Sequence, residues 1–460
     1  MANLNKNQNS AFAKLRIAVL LILLSTLILF AWIARNTSDF LAEPERANKA
    51  SLTALPSCRL VLAPLSGDQP IDAEISRLQR QALNPNERGA SVERLGWTFV
   101  KKARTTFDAG FYKLAEECAA CMEASGSNAA DALLLRAHAL QSLHRFTDAE
   151  IAARQLIQTR ERPFDYGVLG DVLIDEGKIR EGAAAYQKMI DLRPDLQSYA
   201  RAAHVRWLTG DLDGATELMQ LAVTSSSPND AESGAWAFTR LAIYQLQRAA
   251  TKQALDSCDA GLNLQSDYAP ALLARGRILL ALNRPVDAVA DLQRAAKLNP
   301  LPEYLWALAD ALSAAGDPEA AKDVESQIIE RGASEDPRSL SVYFATRRDD
   351  TDRAVQLAEQ ELRNRQDIFT HDALAWALAA AGRPAEAKAH AQHALAEGTR
   401  DARLYFHAGV IAALNGEIAK GGRYLQKANA MRQMLFPSEQ AQLVGWEAKI
   451  SEPRNPNNRK

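Results

Sequence analysis

The chain has 460 residues, with 54 basic and 56 acidic side chains and a formal charge of −2. That balance excludes the basic excess by which nucleic-acid binders hold phosphates, so no nucleic acid is expected as a partner. Alanine fills 84 positions and aromatics only 7%, a composition poor in β-branched runs and suited to helices.

Residues 1–16 hold Lys6, Lys14 and Arg16 and no acid. The next 18 residues, Ile17–Ala34, carry no charge and lie between Arg16 and Arg35. As a helix this run covers about 27 Å, close to the hydrocarbon thickness of a bilayer. Trp32 and Ile33 disfavour the small-residue pattern of a cleavage site, so the run reads as an uncleaved transmembrane anchor. Lys and Arg tie at three on each flank, Arg35, Arg46 and Lys49 balancing the first set. Lys14 and Arg16 abut the run and Asp39, Glu43 and Glu45 dilute the far side, which places 1–16 in the cytoplasm and the bulk of the chain outside. Cys58 lies 24 residues beyond Ala34, too far to be a lipidated cysteine. Residues 35–94, with Pro56, Pro64, Pro70 and Pro85, read as a stalk carrying one amphipathic helix (Ile71, Ile75, Leu78, Ala82).

From residue 95 to 435 one frame recurs. A small residue inside a first helix is followed by a tight turn and then by an alanine opening a second helix. Ala203 with Gly210-Asp211-Leu212-Asp213-Gly214-Ala215, Gly276 with Asn283-Arg284-Pro285-Val286-Asp287-Ala288, and Ala375 with Gly382-Arg383-Pro384-Ala385-Glu386-Ala387 are clear copies. Pro194 and Pro300 follow about twelve residues after Gly182 and Ala288.

In these residues the chain resembles the tetratricopeptide repeat family, whose pattern has a small residue at position 8, Gly near 15, Ala at 20 and Pro at 32. Aligning position 20 places repeat starts near 96, 130, 163, 196, 235, 269, 302, 335, 368 and 402. The one long step contains the polar stretch Ser225–Ser233, read as a loop insertion. The resemblance implies an all-α fold, a right-handed α-solenoid of about ten helix-turn-helix repeats behind the transmembrane helix, each pair burying its apolar face against the next. A capping segment is expected over 436–450 and a disordered tail over 451–460.

In the family, positions 2, 5, 9 and 12 of each first helix face the concave groove. Trp97 and Trp236 fall at position 2, Trp306 at 5, Trp376 at 9 and Trp207 at 12. Phe107, Phe164 and Phe406 join them, with Arg104, His138, Asp171, His204, Arg277 and Asp310 as polar neighbours. Rigid aromatics beside a few polar groups suit capture of a protein or peptide; they equally suit the packing of a tight superhelix. The family's charged clamp for C-terminal carboxylates is not apparent.

Chemistry has few candidates. Cys118-Ala119-Ala120-Cys121 sits inside a second helix after Glu116-Glu117, where a thiol is not activated, and reads as core packing. No disulfide framework is indicated, although an oxidising compartment permits one bridge. His371, His390, His393 and His407 cluster in the last two repeats. They read as polar surface, with no metal, cofactor or catalytic site assigned. The function expected is therefore a non-enzymatic membrane-anchored scaffold at a bacterial inner membrane, its repeats in the periplasm and serving envelope assembly or protein quality control. The alternatives are a metal-dependent hydrolase built on those histidines and a cytosol-facing receptor.

Overall fold

The computed structural model describes residues 54–451. Two helices, α1 (Pro56–Val61) and α2 (Pro70–Ala82), precede ten helix pairs. The pairs are α3/α4 (Arg88–Thr106, Gly110–Ala124), α5/α6 (Ala129–Ser142, Phe146–Thr159), α7/α8 (Pro163–Asp175, Ile179–Leu192), α9/α10 (Leu196–Leu208, Leu212–Thr224) and α11/α12 (Ala231–Gln247, Thr251–Leu264). They continue as α13/α14 (Ala269–Ala281, Pro285–Leu298), α15/α16 (Pro302–Ala314, Pro318–Glu335), α17/α18 (Pro337–Arg347, Thr351–Asn364), α19/α20 (Ile368–Ala380, Pro384–Ala394) and α21/α22 (Ala402–Leu414, Ile418–Asn429). A 3₁₀ turn (Arg432–Met434) and α23 (Pro437–Ser451) complete an α-solenoid with no strand among the described residues.

The helix starts have a common chemistry. Asp195, Asp211, Asp230, Asp317, Asp336, Asp350, Asp367 and Asp401 each accept a hydrogen bond from a first-turn backbone N–H, satisfying donors that have no partner within the helix. Pro163, Pro285, Pro302, Pro318, Pro337 and Pro384 occupy the first turn, where a missing N–H costs nothing. Inside each pair, small residues permit close approach. A Cβ on Gly276 would lie 2.5 Å from Leu292, and one on Gly421 would lie 2.8 Å from the carbonyl oxygen of Gly409. The alanine surplus is this packing requirement repeated: Ala132, Ala203, Ala237, Ala271, Ala309 and Ala375 are all buried.

Beyond this local frame, pairs six apart meet. The Glu176-Gly177 turn touches Gln366, and Gly210 touches Gly398 so closely that a Cβ on Gly210 would lie 2.5 Å from its carbonyl oxygen. Thr399 Oγ1 donates to the Leu208 carbonyl, Gln247 Nε2 to the Arg400 carbonyl, and Arg365 pairs with Asp175. Ile174, Ile179, Tyr186 and Leu208 share a buried cluster with Ile368, Ala394 and Leu404. The solenoid therefore comes round on itself after six pairs and is sealed there.

Two N-terminal features precede the repeat frame and tie into it. Helix α2 buries Ile75, Leu78 and Ala82, as its amphipathic pattern requires, and packs on α3. Cys58 of α1 is joined to Cys121 by a disulfide across 63 residues, while Cys118 and Cys258 are buried free thiols. Only Cys118 of the Cys-x-x-Cys pair is thus simple core packing.

The reading of a single-pass membrane protein is corrected. Among the described residues no helix is long and apolar enough to cross a membrane. Residues 1–53, with Ile17–Ala34 and the flanks used to orient it, lie outside the described residues. The bacterial inner-membrane placement, with its periplasmic repeats, is therefore withdrawn. Residue Ser451 closes α23, and the rest of the expected tail, 452–460, also lies outside the described residues.

Two stability changes follow. Gly210 has φ +84° and no room for a Cβ, so Gly210→Ala should lower unfolding free energy by roughly 1–3 kcal/mol in urea titrations. Cys58→Ser removes a bridge closing a loop of 63 residues; the chain-entropy model puts the loss at about 4 kcal/mol, to be read against the oxidised wild type.

Candidate functional site

The first helices of the pairs form the inner face. The C-terminal segment lies across part of it. Gln433 Nε2 donates to the carbonyls of Leu246 and Gln247 at the end of α11, and Arg277 of α13 donates to the Met434 carbonyl at 2.9 Å. Ser438 N donates to Asp310 of α15 at 2.8 Å, and Trp306 Nε1 donates to Ser438 Oγ at 3.3 Å. Gln442 reaches the Thr346 carbonyl at the end of α17. Arg403 of α21 holds Glu439 through two hydrogen bonds, at 2.6 and 3.0 Å. Phe436, fully buried, packs edge-on to Trp306 at 5.0 Å with the Arg277 and Arg403 guanidiniums over its ring. Residues 433–442 therefore lie across the groove in front of α13, α15, α17 and α21.

What remains open is a pair of adjoining cavities. One, of about 530 Å³, is bounded by Trp207, Trp236, Tyr244, Arg277, Tyr304, Phe369, Arg403 and Met434. The other, of about 920 Å³, is bounded by Arg104, Phe107, Tyr112, Asp171, Arg201, His204 and Glu232. Trp236, Arg240, Tyr268 and Pro270 line both.

The fourteen groove residues expected from the repeat register divide into groups. Arg104, Phe107, Asp171, His204, Trp207, Trp236 and Arg277 line the open cavities. Trp236 and Phe107 are the most open aromatics there, 37% and 39% exposed. Trp97 packs against His138, tilted, and against Phe164, edge-on, at centroid distances of 5.4 and 5.9 Å, as packing between neighbouring first helices. Trp306 and Asp310 face the groove but are covered by Phe436 and Ser438. Trp376 and Phe406 are 2% and 0% exposed; Trp376 stacks on His407 at 4.2 Å and donates to Thr346 Oγ1. These two are buried between neighbouring first helices rather than presented to the groove. Trp207 has a structural duty as well, lying flat on Phe369 at 5.7 Å across the sealed turn and donating to Gln247 Oε1.

Several wall residues escaped the register rule. Arg201 and Arg240 both stand sixth from their repeat starts, just off the positions taken to face the groove. Listing position 6 beside position 5 would have found them. Tyr112 comes from a second helix, and Tyr268 from the residue just before α13; only the folded chain brings them inward.

Electrostatics in the wall follow burial and partners. Asp171 accepts two hydrogen bonds from Arg201, at 2.8 and 2.7 Å, and one from Tyr186 Oη at 2.7 Å. Burial pushes His138 down to about 4 and, with Arg240 nearby, His204 down to about 3, so both rings are neutral at pH 7. Burial pushes Asp310 up to about 6 against the opposing Ser438 hydrogen bonds.

The histidines of the hydrolase alternative are split. His371 stacks against His390 and His393 with centroids at 5.3 and 4.8 Å, while His407 is buried elsewhere on Asp372 at 2.8 Å. Among the described residues no group of three or more His, Cys, Asp or Glu has an arrangement that could hold a metal ion. This geometry lends the hydrolase alternative no support.

His138 gives a pH test. Its folded pKa lies below the unfolded value of about 6.5, so its contribution to stability is full above 6.5 and is lost as pH falls toward about 4. Asp310 acts in the opposite sense, its protonation favouring the fold as pH falls through about 6. Urea unfolding at a series of pH values between 7 and 4 should show a shallower loss for His138→Gln than for wild type.

Residues 273–336, covering α13 to α16, match the model of the tetratricopeptide repeat family. A comparison with curated proteins gives no match. Among solved structures, the chain is similar to the human IFIT1 dimer with PPP-AAAA at 12% identity, over 78% of this chain and 88% of that one, with a TM-score of 0.45. It is similar to Pseudomonas aeruginosa PilF at 19% identity, over 44% and 90%, with a TM-score of 0.34. A tetratricopeptide repeat protein from Parabacteroides merdae matches at 18% identity, over 55% and 98%, with a TM-score of 0.31. The chain therefore contains tetratricopeptide repeats, matched directly over 273–336 and continued on both sides by the same pairing of helices.

Proposed function

We propose that this protein is a binding scaffold that captures a peptide segment of another protein in the open part of its inner face. The observation that carries this is the pair of adjoining cavities sharing Trp236, Arg240, Tyr268 and Pro270. Their volumes, about 530 and 920 Å³, suit a string of side chains better than one small ion. The wall combines large rigid rings, which bind at small cost in conformational entropy, with charged groups that set orientation.

Of the expected aromatic anchors, Trp236 is the one suited to test this. Trp306 lies under Phe436 and Trp207 holds the sealed turn, so replacing either perturbs the fold as well as the groove. Trp236 is half-exposed and the structure gives it no hydrogen-bonding duty. Peptides selected from a display library on the full-length chain should bind Trp236→Ala at least tenfold more weakly, about 1.4 kcal/mol, with an unchanged unfolding midpoint. Selected peptides that bind the variant and the wild type equally would rule out this groove.

A further inference from the structure

Five arginines face the two cavities, and four are matched by a carboxylate. Arg104 pairs with Glu232 at 3.0 Å, Arg201 with Asp171 at 2.7 Å, Arg277 with Glu303 at 3.2 Å and Arg403 with Glu439 at 2.6 Å. The fifth, Arg240, stands on the wall common to both cavities. Its partner is neutral: Nη2 lies 3.4 Å from Tyr244 Oη, and the guanidinium sits 5.3 Å from that ring. Among the described residues no carboxylate lies within ion-pair distance of it. The charge is felt nearby, since Arg240 opposes protonation of His204. A half-buried guanidinium has lost part of its hydration and offers several N–H donors in a planar fork, a geometry matched to a carboxylate.

The chain itself shows how an arginine on this inner face is matched by a peptide. Glu439 is gripped by Nε and Nη2 of Arg403, and Phe436, three residues earlier, packs on Trp306. Arg240 has comparable neighbours still open: Trp236 one helical turn before it, and Tyr268 and Pro270 at the start of α13.

We propose that the open half of the groove takes an acidic peptide segment. A glutamate or aspartate seats on Arg240, and an aromatic side chain about one helical turn before it lies against Trp236 and Tyr268. This deepens the scaffold reading and rests on it. Charge complementarity selects the occupant: an acidic side chain neutralises Arg240, unmatched among the described arginines of the two cavities, a basic one adds a like charge beside Arg104 and Arg201, and a purely apolar segment leaves Arg240 desolvated and unpaired.

The test uses the full chain and fluorescein-labelled, C-terminally amidated peptides read by anisotropy. The parent peptide copies residues 434–443, a second carries Gln for the glutamate, and a third carries Ala for the phenylalanine. The parent should bind, and each altered peptide should bind at least tenfold more weakly. Arg240→Gln should weaken the parent by as much as the loss of its glutamate, the two changes together should cost little more than either alone, and Arg240→Lys should recover part of the affinity. Arg240 has no ion pair to lose, so circular dichroism and the unfolding midpoint should be unchanged. Binding weakened by Trp236→Ala but indifferent to both Arg240→Gln and the peptide's glutamate overturns the carboxylate site while leaving the groove. Binding that ignores Trp236→Ala and Arg240→Gln alike, or no binding by any peptide at millimolar concentration, overturns both.

Discussion

Everything on the inner face depends on two backbone turns meeting where pairs six apart come together. Gly210 and Gly398 both have positive φ, at +84° and +77°, and only residues without a Cβ adopt this conformation freely. Because the backbones touch there, Thr399 reaches the Leu208 carbonyl and Gln247 reaches Arg400. Those hydrogen bonds satisfy groups that would otherwise be buried without partners. The contact carries Phe369 and Leu404 onto Trp207 and its neighbours. A stack of pairs that did not touch at this point would present a ramp open to solvent. With the turn sealed, residues from α9, α19 and α21 form opposite walls of one cavity.

The C-terminal segment then divides that interior. Glu439 is fully buried and Arg403 half-buried beside it, with the Phe436 N–H as a further donor to the carboxylate. Two charges taken out of water this way are tolerable only with close, multiple hydrogen bonds. Removing Arg403 would leave the Glu439 carboxylate buried without its ion-pair partner. The segment is thus held by specific polar contacts as much as by the burial of Phe436 and Leu443, and it covers Trp306 and Asp310 as a bound peptide would. What stays accessible is the portion facing α3, α9, α11 and the start of α13.

The fold was legible because its signal is local. The repeat starts near 130, 163, 196, 269, 302, 368 and 402 fall within one residue of the helix starts, since turn chemistry, proline and small residues act within one pair. Of the polar stretch Ser225–Ser233, residues 225–230 form the connection, while Ala231, Glu232 and Ser233 are the first turn of α11. The site was legible only in part. Register predicts which way Trp236, Trp306 and Trp376 point from their own helices, but not what arrives in front of them. Whether such a ring meets solvent is decided by contacts across 130 to 190 residues, such as Trp306 with Ser438 and Arg365 with Asp175. No periodicity of 34 encodes those. The Cys58–Cys121 bridge is hidden for the same reason, its two cysteines lying in helices with no shared repeat position.

A near-neutral chain can still be selective because its charges are not worth the same everywhere. On the outer layer Arg284 with Asp287, Arg383 with Glu386 and Lys322 with Glu319 are pairs one helical turn apart and mostly exposed. Water and salt screen such pairs, and each contributes at most a few tenths of a kcal/mol. They keep the alanine-rich helices dissolved without favouring any partner. The charges lining the inner cavities sit among Trp, Tyr and Phe rings, where screening is weaker. Mispairing one of them costs several times what an outer pair contributes. On the proposal that this groove takes a peptide, its selectivity rests on a handful of arginines and carboxylates rather than on the net charge of the whole chain.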